Sequence, residues 1–254
     1  MTISLAGQTV VVTGGAVRVG RAIALECARA GANVAITYNR SGQEAQETVR
    51  TLQQVNPDGK FVALPLEVSN ADAVATFRER VLDALGGVTA LVNSAAIFRR
   101  TPFAEMTEAD FDDHIAANLK GPYLLSKALG DHFLQQQHGA IVNIADIHGL
   151  RPLKNYVPYC VSKAGVVMLT QALAKALAPH VRVNCICPGT ILLPSETQGE
   201  DDEYSDDETH LRTRVPLGRF GTPEEIAQSV VFLIGGPQFI SGAILPVDGA
   251  ELLR

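Results

Sequence analysis

The sequence predicts an α/β protein with a single doubly wound domain built on a seven-stranded parallel sheet. Short apolar or β-branched runs alternate with longer segments of helical periodicity from one end of the chain to the other. Several of the short runs are apolar throughout, as expected for strands that crossover helices bury on both faces. A chain of 254 residues is long enough for one large core, so a second domain is not required.

Seven predicted strands and six predicted helices follow one another along the chain. The strands are residues 9–12, 33–37, 61–64, 90–92, 140–144, 181–186 and 243–247. The helices are residues 21–30, 43–55, 71–85, 107–133, 158–178 and 223–234. One long segment, residues 188–222, lacks clear periodicity, and loops of that length in compact domains are usually functional or disordered. We expect one domain over residues 1–254.

Composition and charge exclude several classes of protein. Apolar residues make up 46% of the chain and charged residues 19%, which is typical of a globular protein. The formal charge is −6, but seven acidic residues lie between positions 200 and 208, and the remaining chain carries +1. Without a basic stripe or any Trp, we expect no nucleic-acid partner. No apolar run of about 18 residues and no signal-peptide pattern is present, so we expect a cytoplasmic protein without a membrane partner.

The four cysteines are too sparse for a disulfide framework. Cys185 and Cys187 alternate within an apolar run and would lie on one face of a strand. No His or third Cys lies near them in sequence, which favours small core residues over metal ligands. We expect no metal site.

A glycine-rich turn from Thr13 to Gly20 follows the first predicted strand and opens a helix. Amide groups at the start of such a helix can face a phosphate, although an ordinary βα loop has the same composition. The turn follows the N-terminal strand, and a second strand ends about 20 residues later, which favours dinucleotide binding.

The end of that second strand indicates which nicotinamide cofactor is used. An acidic side chain there would bind the adenosine ribose and repel a phosphate, but the sequence reads Tyr38-Asn39-Arg40-Ser41. Arg40 could simply be solvated, yet Arg18 in the glycine turn supplies a second cation nearby. The pattern favours NADPH over NADH.

Tyr159 and Lys163 are four residues apart and would share one face of a helix. A lysine ammonium near a phenol favours the phenolate and lowers the tyrosine pKa, which makes the tyrosine a usable proton donor. The spacing alone is a common accident on helices. A chance occurrence becomes improbable when the glycine turn and three further motifs accompany the pair. These motifs are Asn93-Ser94-Ala95-Ala96, Asn118 and Pro188-Gly189.

With these motifs, the sequence resembles the short-chain dehydrogenase/reductase family over essentially its whole length. The resemblance implies a Rossmann-type domain, a homotetramer, and a mobile loop over the substrate within residues 188–222. It implies that Tyr159 and Lys163 are catalytic and that Asn118 completes a proton relay. The implied cofactor residues are Gly14, Arg18, Val19, Gly20, Tyr38, Asn39, Arg40, Ser41, Glu67, Val68, Asn93, Ser94, Ala95, Tyr159, Lys163, Pro188 and Gly189.

Two residues depart from the common family pattern. Arg18 stands where the family commonly has glycine, and Asp146 stands where it commonly has a catalytic serine. An ionised aspartate only accepts hydrogen bonds and would repel the oxyanion that develops when a ketone is reduced. It suits a substrate rich in N–H donors that gains positive character at a ring nitrogen. Alternatively, Asp146 is a solvated loop residue and a neighbouring group replaces the serine.

The combination of Arg18, Asp146, residues 39–41 and Phe98 resembles the pteridine reductase branch of the family. The implied substrate residues are Arg18, Phe98, Asp146, Tyr159 and Leu193. In that branch Phe98 would stack on the pterin, whereas a lone Phe is by default a core or lid residue. Glu67 is a further departure, because the family usually has an aspartate near the adenine.

These residues predict an NADPH-dependent reductase of a dihydropterin or dihydrofolate, with the oxidised pterin as a further candidate substrate. Catalytic roles fall to Asp146, Tyr159, Lys163 and Asn118. Two alternatives stay open. One is a carbonyl or 3-oxoacyl thioester reductase, which the general family resemblance supports and Asp146 opposes. The other is a non-catalytic NADPH-binding regulator, which intact Tyr159 and Lys163 disfavour.

Overall fold

The computed structural model describes residues 3–191 and 213–254. In chain order its elements are β1 (Thr9–Val12), α1 (Arg18–Arg29), β2 (Asn33–Tyr38), α2 (Gly42–Val55), β3 (Phe61–Pro65), α3 (Ala71–Leu85), β4 (Ala90–Asn93), α4 (Glu108–Ile115), a π-helical turn (Ala116–Lys120), α5 (Gly121–Gln135), β5 (Gly139–Ile144), a 3₁₀ turn (Ile147–Gly149), α6 (Val157–Ala176), β6 (Val181–Pro188), α7 (Pro223–Gly235), β7 (Ile244–Val247) and a final 3₁₀ turn (Glu251–Leu253). Leu193, the acidic tract at 200–208 and most of the predicted loop 188–222 lie outside the described residues.

All seven strands are parallel and follow the order β3-β2-β1-β4-β5-β6-β7. This confirms the predicted fold class. The strand order reverses between β1 and β4, and open α/β sheets bind ligands at the carboxyl ends of the strands beside such a reversal. The segments that follow β1, β4 and β5 therefore form the expected binding crevice.

Helices cover the sheet on both faces, and β1 shows how the strand pattern divides between them. Val10 and Val12 pack in one apolar cluster with α1 and α7, whereas Val11 packs in a second cluster with α3 and α5. All three valines are fully buried. Continuous apolar strands are therefore buried on both faces, as their composition predicts.

The helix predicted over residues 107–133 is not continuous, and that prediction is wrong in this respect. Thr107 caps α4 through a reciprocal capping box with Asp110, and the π-helical turn Ala116–Lys120 then separates α4 from α5. Pro122 has no N–H to donate to the Asn118 carbonyl, so a regular α-helical bond is impossible at this point. Helices often carry such π-turns at functional sites, and this turn contains Asn118.

By length and composition alone, α6 could cross a membrane, and no other helix in the described residues has this property. This is weak support for a span, because core helices of soluble proteins meet the same criterion. Here α6 packs against β6 and carries the buried residues Tyr159, Ser162 and Lys163.

Cys185 and Cys187 are fully buried on β6 and share an apolar cluster with Ile147 and Val166. They lie among core side chains, as the alternating pattern predicts.

Phe133 on α5 is fully buried, whereas Phe239 is fully exposed. We predict that Phe133→Ala lowers the free energy of unfolding by about 3–5 kcal/mol, because it removes buried apolar surface and leaves a cavity. The matched change Phe239→Ala should alter it by no more than about 0.5 kcal/mol. Denaturant unfolding of both variants tests this, and equal losses would contradict the described core.

Candidate active site

The glycine turn after β1 brings backbone close to backbone. A Cβ atom on Gly20 would lie 2.2 Å from the Gly14 carbonyl oxygen, so no larger residue fits there without a shift. Arg18 takes a φ of 51°, the left-handed region, at the position where the resemblance expects glycine. The N-cap residue of α1, Val17, makes no side-chain hydrogen bond to the first turn. The first amide groups of α1 thus lack a side-chain cap and fit a dinucleotide phosphate.

Thr13 joins this turn to the segment after β4, a role that the glycine-rich motif does not reveal. Its Oγ1 accepts hydrogen bonds from the backbone N–H groups of Ser94 (2.9 Å) and Ala95 (3.0 Å). The position of Thr13 at the carboxyl end of β1 is the sequence signal that could have found it.

The segment after β2 presents polar groups to solvent. Arg40 and Asn39 are exposed, as is Arg18. Asn39 donates a hydrogen bond from Nδ2 to Glu67 Oε2 at 2.5 Å, and Glu67 Oε1 accepts another from Ser69. Two cationic side chains therefore lie in the region where the sequence predicts the cofactor phosphate, while Glu67 is engaged by neighbouring side chains.

Two predicted cofactor residues are buried: Val68, which follows β3, and Asn93, the last residue of β4. Asn93 donates from Nδ2 to Asn143 Oδ1 (2.8 Å) and Ser126 Oγ (3.2 Å). Its side chain thus ties β4 to β5 and α5. Ser94 and Ala95 are half-buried beside the glycine turn.

Three predicted catalytic side chains meet at the carboxyl end of β5. The Tyr159 hydroxyl donates a hydrogen bond to Asp146 Oδ2 at 2.7 Å. Lys163 Nζ lies 5.6 Å from the centroid of the Tyr159 ring and donates to the Ile144 carbonyl at 2.9 Å. Both Tyr159 and Lys163 are buried on α6, as their spacing predicts.

Asp146 is held from two sides. Its Oδ1 accepts a hydrogen bond from the His148 backbone N–H at 2.8 Å, and its Oδ2 faces Tyr159. The 3₁₀ turn that follows lies directly on α6, because a Cβ on Gly149 would come within 2.8 Å of the Lys163 carbonyl carbon. Asp146 is half-buried and does not fit the alternative of a solvated loop residue.

The Asn118 side chain connects the segment after β4 to α6. Its Oδ1 accepts from the Ile97 N–H at 2.8 Å, and its Nδ2 donates to the Ile97 carbonyl and to Ser162 Oγ, each at 3.0 Å. These three bonds use both ends of the amide to hold Ile97, in the segment after β4, and Ser162 on α6. Its backbone carbonyl lacks an α-helical donor, because Pro122 has no N–H. The predicted role of Asn118 in a proton relay stays a prediction.

An aromatic wall, defined here as Phe98, Tyr156 and Tyr159, borders the catalytic group. Phe98 stacks on Tyr156 with ring centroids 4.6 Å apart and an interplanar angle of 10°. It meets Tyr159 edge-on at 4.7 Å. Phe98 remains 38% exposed, whereas Tyr156 is 1% exposed. The sequence motifs do not include Tyr156, although an aromatic residue at the start of α6 is a readable signal.

The C-terminal 3₁₀ turn supports the segment after β6. Gly189 donates its N–H to the Val247 carbonyl, and Thr190 donates both its N–H (2.8 Å) and its hydroxyl (3.0 Å) to the Glu251 carboxylate. Pro188 and Gly189 are thereby fixed at the edge of the crevice. Glu251 carries no motif, so only the tertiary structure identifies it.

Burial lowers the pKa of Lys163 below its ordinary value of 10.5, and the nearby Asp146 carboxylate partly offsets this effect. Between the folded pKa and 10.5 the unfolded chain binds the proton more readily than the folded chain. Folding stability from this group therefore increases as pH rises through that window.

We predict that wild type gains stability relative to Lys163→Met as pH rises from neutral toward 10.5. Denaturant unfolding at several pH values measures this difference. The exposed residue Lys175 on α6 supplies the control, because Lys175→Met should show no such trend. A Lys163→Met difference that stays constant with pH would contradict the buried ammonium.

Comparisons with known proteins agree with this geometry. A family model described as Enoyl-(Acyl carrier protein) reductase matches residues 14–249. The 3-oxoacyl-(acyl-carrier-protein) reductase of Thermotoga maritima is 33% identical over 251 residues, covering 98% of this chain and 99% of that protein. The L-rhamnose 1-dehydrogenase (NAD(P)(+)) of a Sphingomonas species is 34% identical over 250 residues, covering 96% of each.

A crystal structure from Sinorhizobium meliloti, of a protein assigned to the short-chain alcohol dehydrogenases, matches with a TM-score of 0.92 and 31% identity over 100% of both chains. The fold agrees with that structure over the whole chain. The chain therefore belongs to the short-chain dehydrogenase/reductase family, whose oxidoreductases typically use NAD(P)(H).

Proposed function

We propose that this protein is an NADPH-dependent reductase of a ring C=N bond in a dihydropterin or dihydrofolate. One observation carries the proposal, the 2.7 Å hydrogen bond from the Tyr159 hydroxyl to Asp146 Oδ2. It supports a catalytic group in which a carboxylate takes the place of a neutral hydrogen-bond donor.

The carboxylate of Asp146 discriminates between substrate classes. Both of its oxygens accept hydrogen bonds, from His148 N–H and from Tyr159, and an ionised carboxylate has no proton to donate. Reducing a ketone places negative charge on the substrate oxygen, and a nearby carboxylate repels that charge. A pterin instead brings amine and ring N–H donors, and its protonated C=N bond gains positive charge that Asp146 attracts.

Phe98 supports a planar substrate. Its ring is held by stacking on Tyr156 and by edge contact with Tyr159, yet it stays 38% exposed. Offset stacking of a heterocycle on such a ring is favourable. Arg18 supplies a cation at the glycine turn, where it would contact cofactor phosphate and pterin. Leu193 belongs to the same proposal but lies outside the described residues.

Each catalytic side chain has a proposed task. When bound, the nicotinamide supplies the hydride. Tyr159 donates or relays a proton to the ring nitrogen next to the carbon that is reduced. Lys163, whose Nζ is fixed by the Ile144 carbonyl, stabilises the phenolate that Tyr159 becomes. Asp146 accepts a hydrogen bond from the pterin amine and orients Tyr159.

Reduction of a carbonyl or a 3-oxoacyl thioester is the second candidate, and the comparisons favour it over pterin reduction. The matching family model and the Thermotoga maritima relative are both named as reductases of acyl-carrier-protein substrates. Other relatives are named for sugar and steroid substrates, so substrate class varies among proteins about this similar. Asp146 is the residue of this chain that argues for the pterin.

Cofactor choice, assembly and location are also proposals. Exposed Arg18 and Arg40, with no carboxylate at the end of β2, support NADPH. The resemblance supports a homotetramer, and the cytoplasmic location stays a prediction.

We predict that wild type oxidises NADPH faster with dihydrobiopterin or dihydrofolate than with an acetoacetyl thioester. Asp146→Ser should reduce kcat/KM for the pterin by about tenfold or more, because it removes a hydrogen bond to a charged group. Initial rates of NADPH absorbance loss measure both effects.

The control for this experiment is Asp83→Ser, an exposed carboxylate on α3 that should leave both rates unchanged. Faster turnover of the thioester by wild type would establish the second candidate instead. Absence of turnover with every substrate would favour the non-catalytic regulator.

We predict that Arg40→Ser raises KM for NADPH several-fold and leaves KM for NADH nearly unchanged. Arg40 would contact only the 2′-phosphate, which NADH lacks. Steady-state kinetics with each cofactor measure the ratio, and Arg50→Ser, an exposed arginine on α2, is the control. An equal increase in KM for NADPH and for NADH would show that Arg40 does not recognise the 2′-phosphate.

A further inference from the structure

His114 lies in the last turn of α4 and is fully buried. Its Nδ1 is 2.7 Å from the Asp110 carbonyl oxygen, which can only accept a hydrogen bond, so Nδ1 carries the ring proton. In the neutral ring Nε2 is then an acceptor. Nε2 is buried and has no hydrogen-bond partner among residues 3–191 and 213–254.

The ring of His114 contacts the catalytic group. Its centroid is 6.4 Å from that of Tyr159, and the two rings meet edge-on at 78°. His114 is not among the predicted site residues, and the proposed chemistry does not use it. His114 lies four residues before Asn118, so the two side chains lie on about the same face of α4 and the π-helical turn that continues it.

A buried Nε2 without a hydrogen bond destabilises the folded chain, and the fold does not require a nitrogen at this position. Buried polar atoms in folded proteins are almost always hydrogen-bonded, and an exception calls for a physical explanation. The Asp110 carbonyl is already the α-helical acceptor for the His114 backbone N–H, so the ring is not needed to satisfy it. An apolar side chain of similar size would fill the same space without an orphaned acceptor.

We propose that His114 is a positioning residue for Tyr159: its Nε2 accepts a hydrogen bond from a buried water that donates its other hydrogen to the Tyr159 phenol oxygen. This inference rests on the proposed role of Tyr159 as proton donor. When Tyr159 has given up its proton, the phenolate oxygen can only accept, and the water held by His114 supplies a donor. No proton leaves the water in this arrangement.

The charged groups around this pair are few in the described structure. Asp146 approaches Tyr159 from the 3₁₀ turn after β5, and Lys163 approaches it from α6. On the side of His114, the Asp110 carboxylate caps α4 and lies 3.7 Å from Arg99. Asp146 disfavours the phenolate and Lys163 favours it, so a neutral donor adds stabilisation without a further charge.

Three substitutions of His114 distinguish the contribution of Nδ1 from that of Nε2. His114→Leu removes both, His114→Asn places an amide near the Nδ1 position only, and His114→Gln places an amide near the Nε2 position. Ionisation of Tyr159 is followed by near-ultraviolet phenolate absorbance during a pH titration, as the difference between each variant and its Tyr159→Phe counterpart. This readout needs no substrate.

We expect the Leu and Asn variants to shift Tyr159 ionisation upward by about one pH unit, equivalent to a tenfold change in the ionisation equilibrium. The Gln variant should return it close to wild type. Thermal unfolding of His114→Leu should stay close to that of wild type, because leucine fills similar space and the Asp110 carbonyl keeps its α-helical donor. With an active substrate, kcat should fall in the Leu and Asn variants while KM for the cofactor stays unchanged.

Unchanged Tyr159 ionisation in His114→Leu would overturn the proposal. So would equal shifts in all three variants with lower thermal stability, because that pattern indicates a packing role for the ring. If pterins are not turned over but the titration responds as expected, the proposed substrate is wrong and the role of His114 stands.

Discussion

The hydrogen bond between the Tyr159 hydroxyl and Asp146 Oδ2 is the interaction on which the candidate site depends. It joins two elements, the 3₁₀ turn after β5 and the first turn of α6. Close packing of Gly149 on α6 sets their separation, and a second hydrogen bond from His148 fixes the rotation of the carboxylate. The parallel sheet brings this pair to the same edge as the glycine turn, because both follow the carboxyl ends of strands.

Substituting a carboxylate for a hydroxyl at one position changes what this shared architecture can do. The fold, the Tyr159–Lys163 pair and the glycine turn are compatible with reduction of many carbonyl substrates, and the relatives are named for several of them. Asp146 places a carboxylate beside the Tyr159 hydroxyl, where the family commonly has a neutral serine hydroxyl. Phe98, stacked against buried Tyr156, adds a rigid flat surface beside it. In the proposed function, these two residues together favour a planar substrate that donates hydrogen bonds.

Local patterns in the sequence were enough to predict much of this structure. Strand composition predicted all seven strands to within two residues at their ends, and the i, i+4 spacing placed Tyr159 and Lys163 on one helix. The interruption at Ala116–Lys120 was missed, because helical periodicity continues through a π-turn and only Pro122 indicates the break. Thr13 and Tyr156 lie at positions that the sequence could have indicated, the end of a strand and the start of a helix. The contacts of Glu251 and His114 join distant segments, which no single-sequence pattern encodes.

The central claim is that Asp146 and Phe98 recognise a pterin ring. A crystal structure with NADP⁺ and dihydrofolate or dihydrobiopterin bound tests it most directly. We expect the pterin ring to stack on Phe98, with its amine within hydrogen-bond distance of an Asp146 oxygen and a ring nitrogen facing the Tyr159 hydroxyl. A pterin bound elsewhere, or one that leaves Asp146 in contact with protein groups alone, would contradict it.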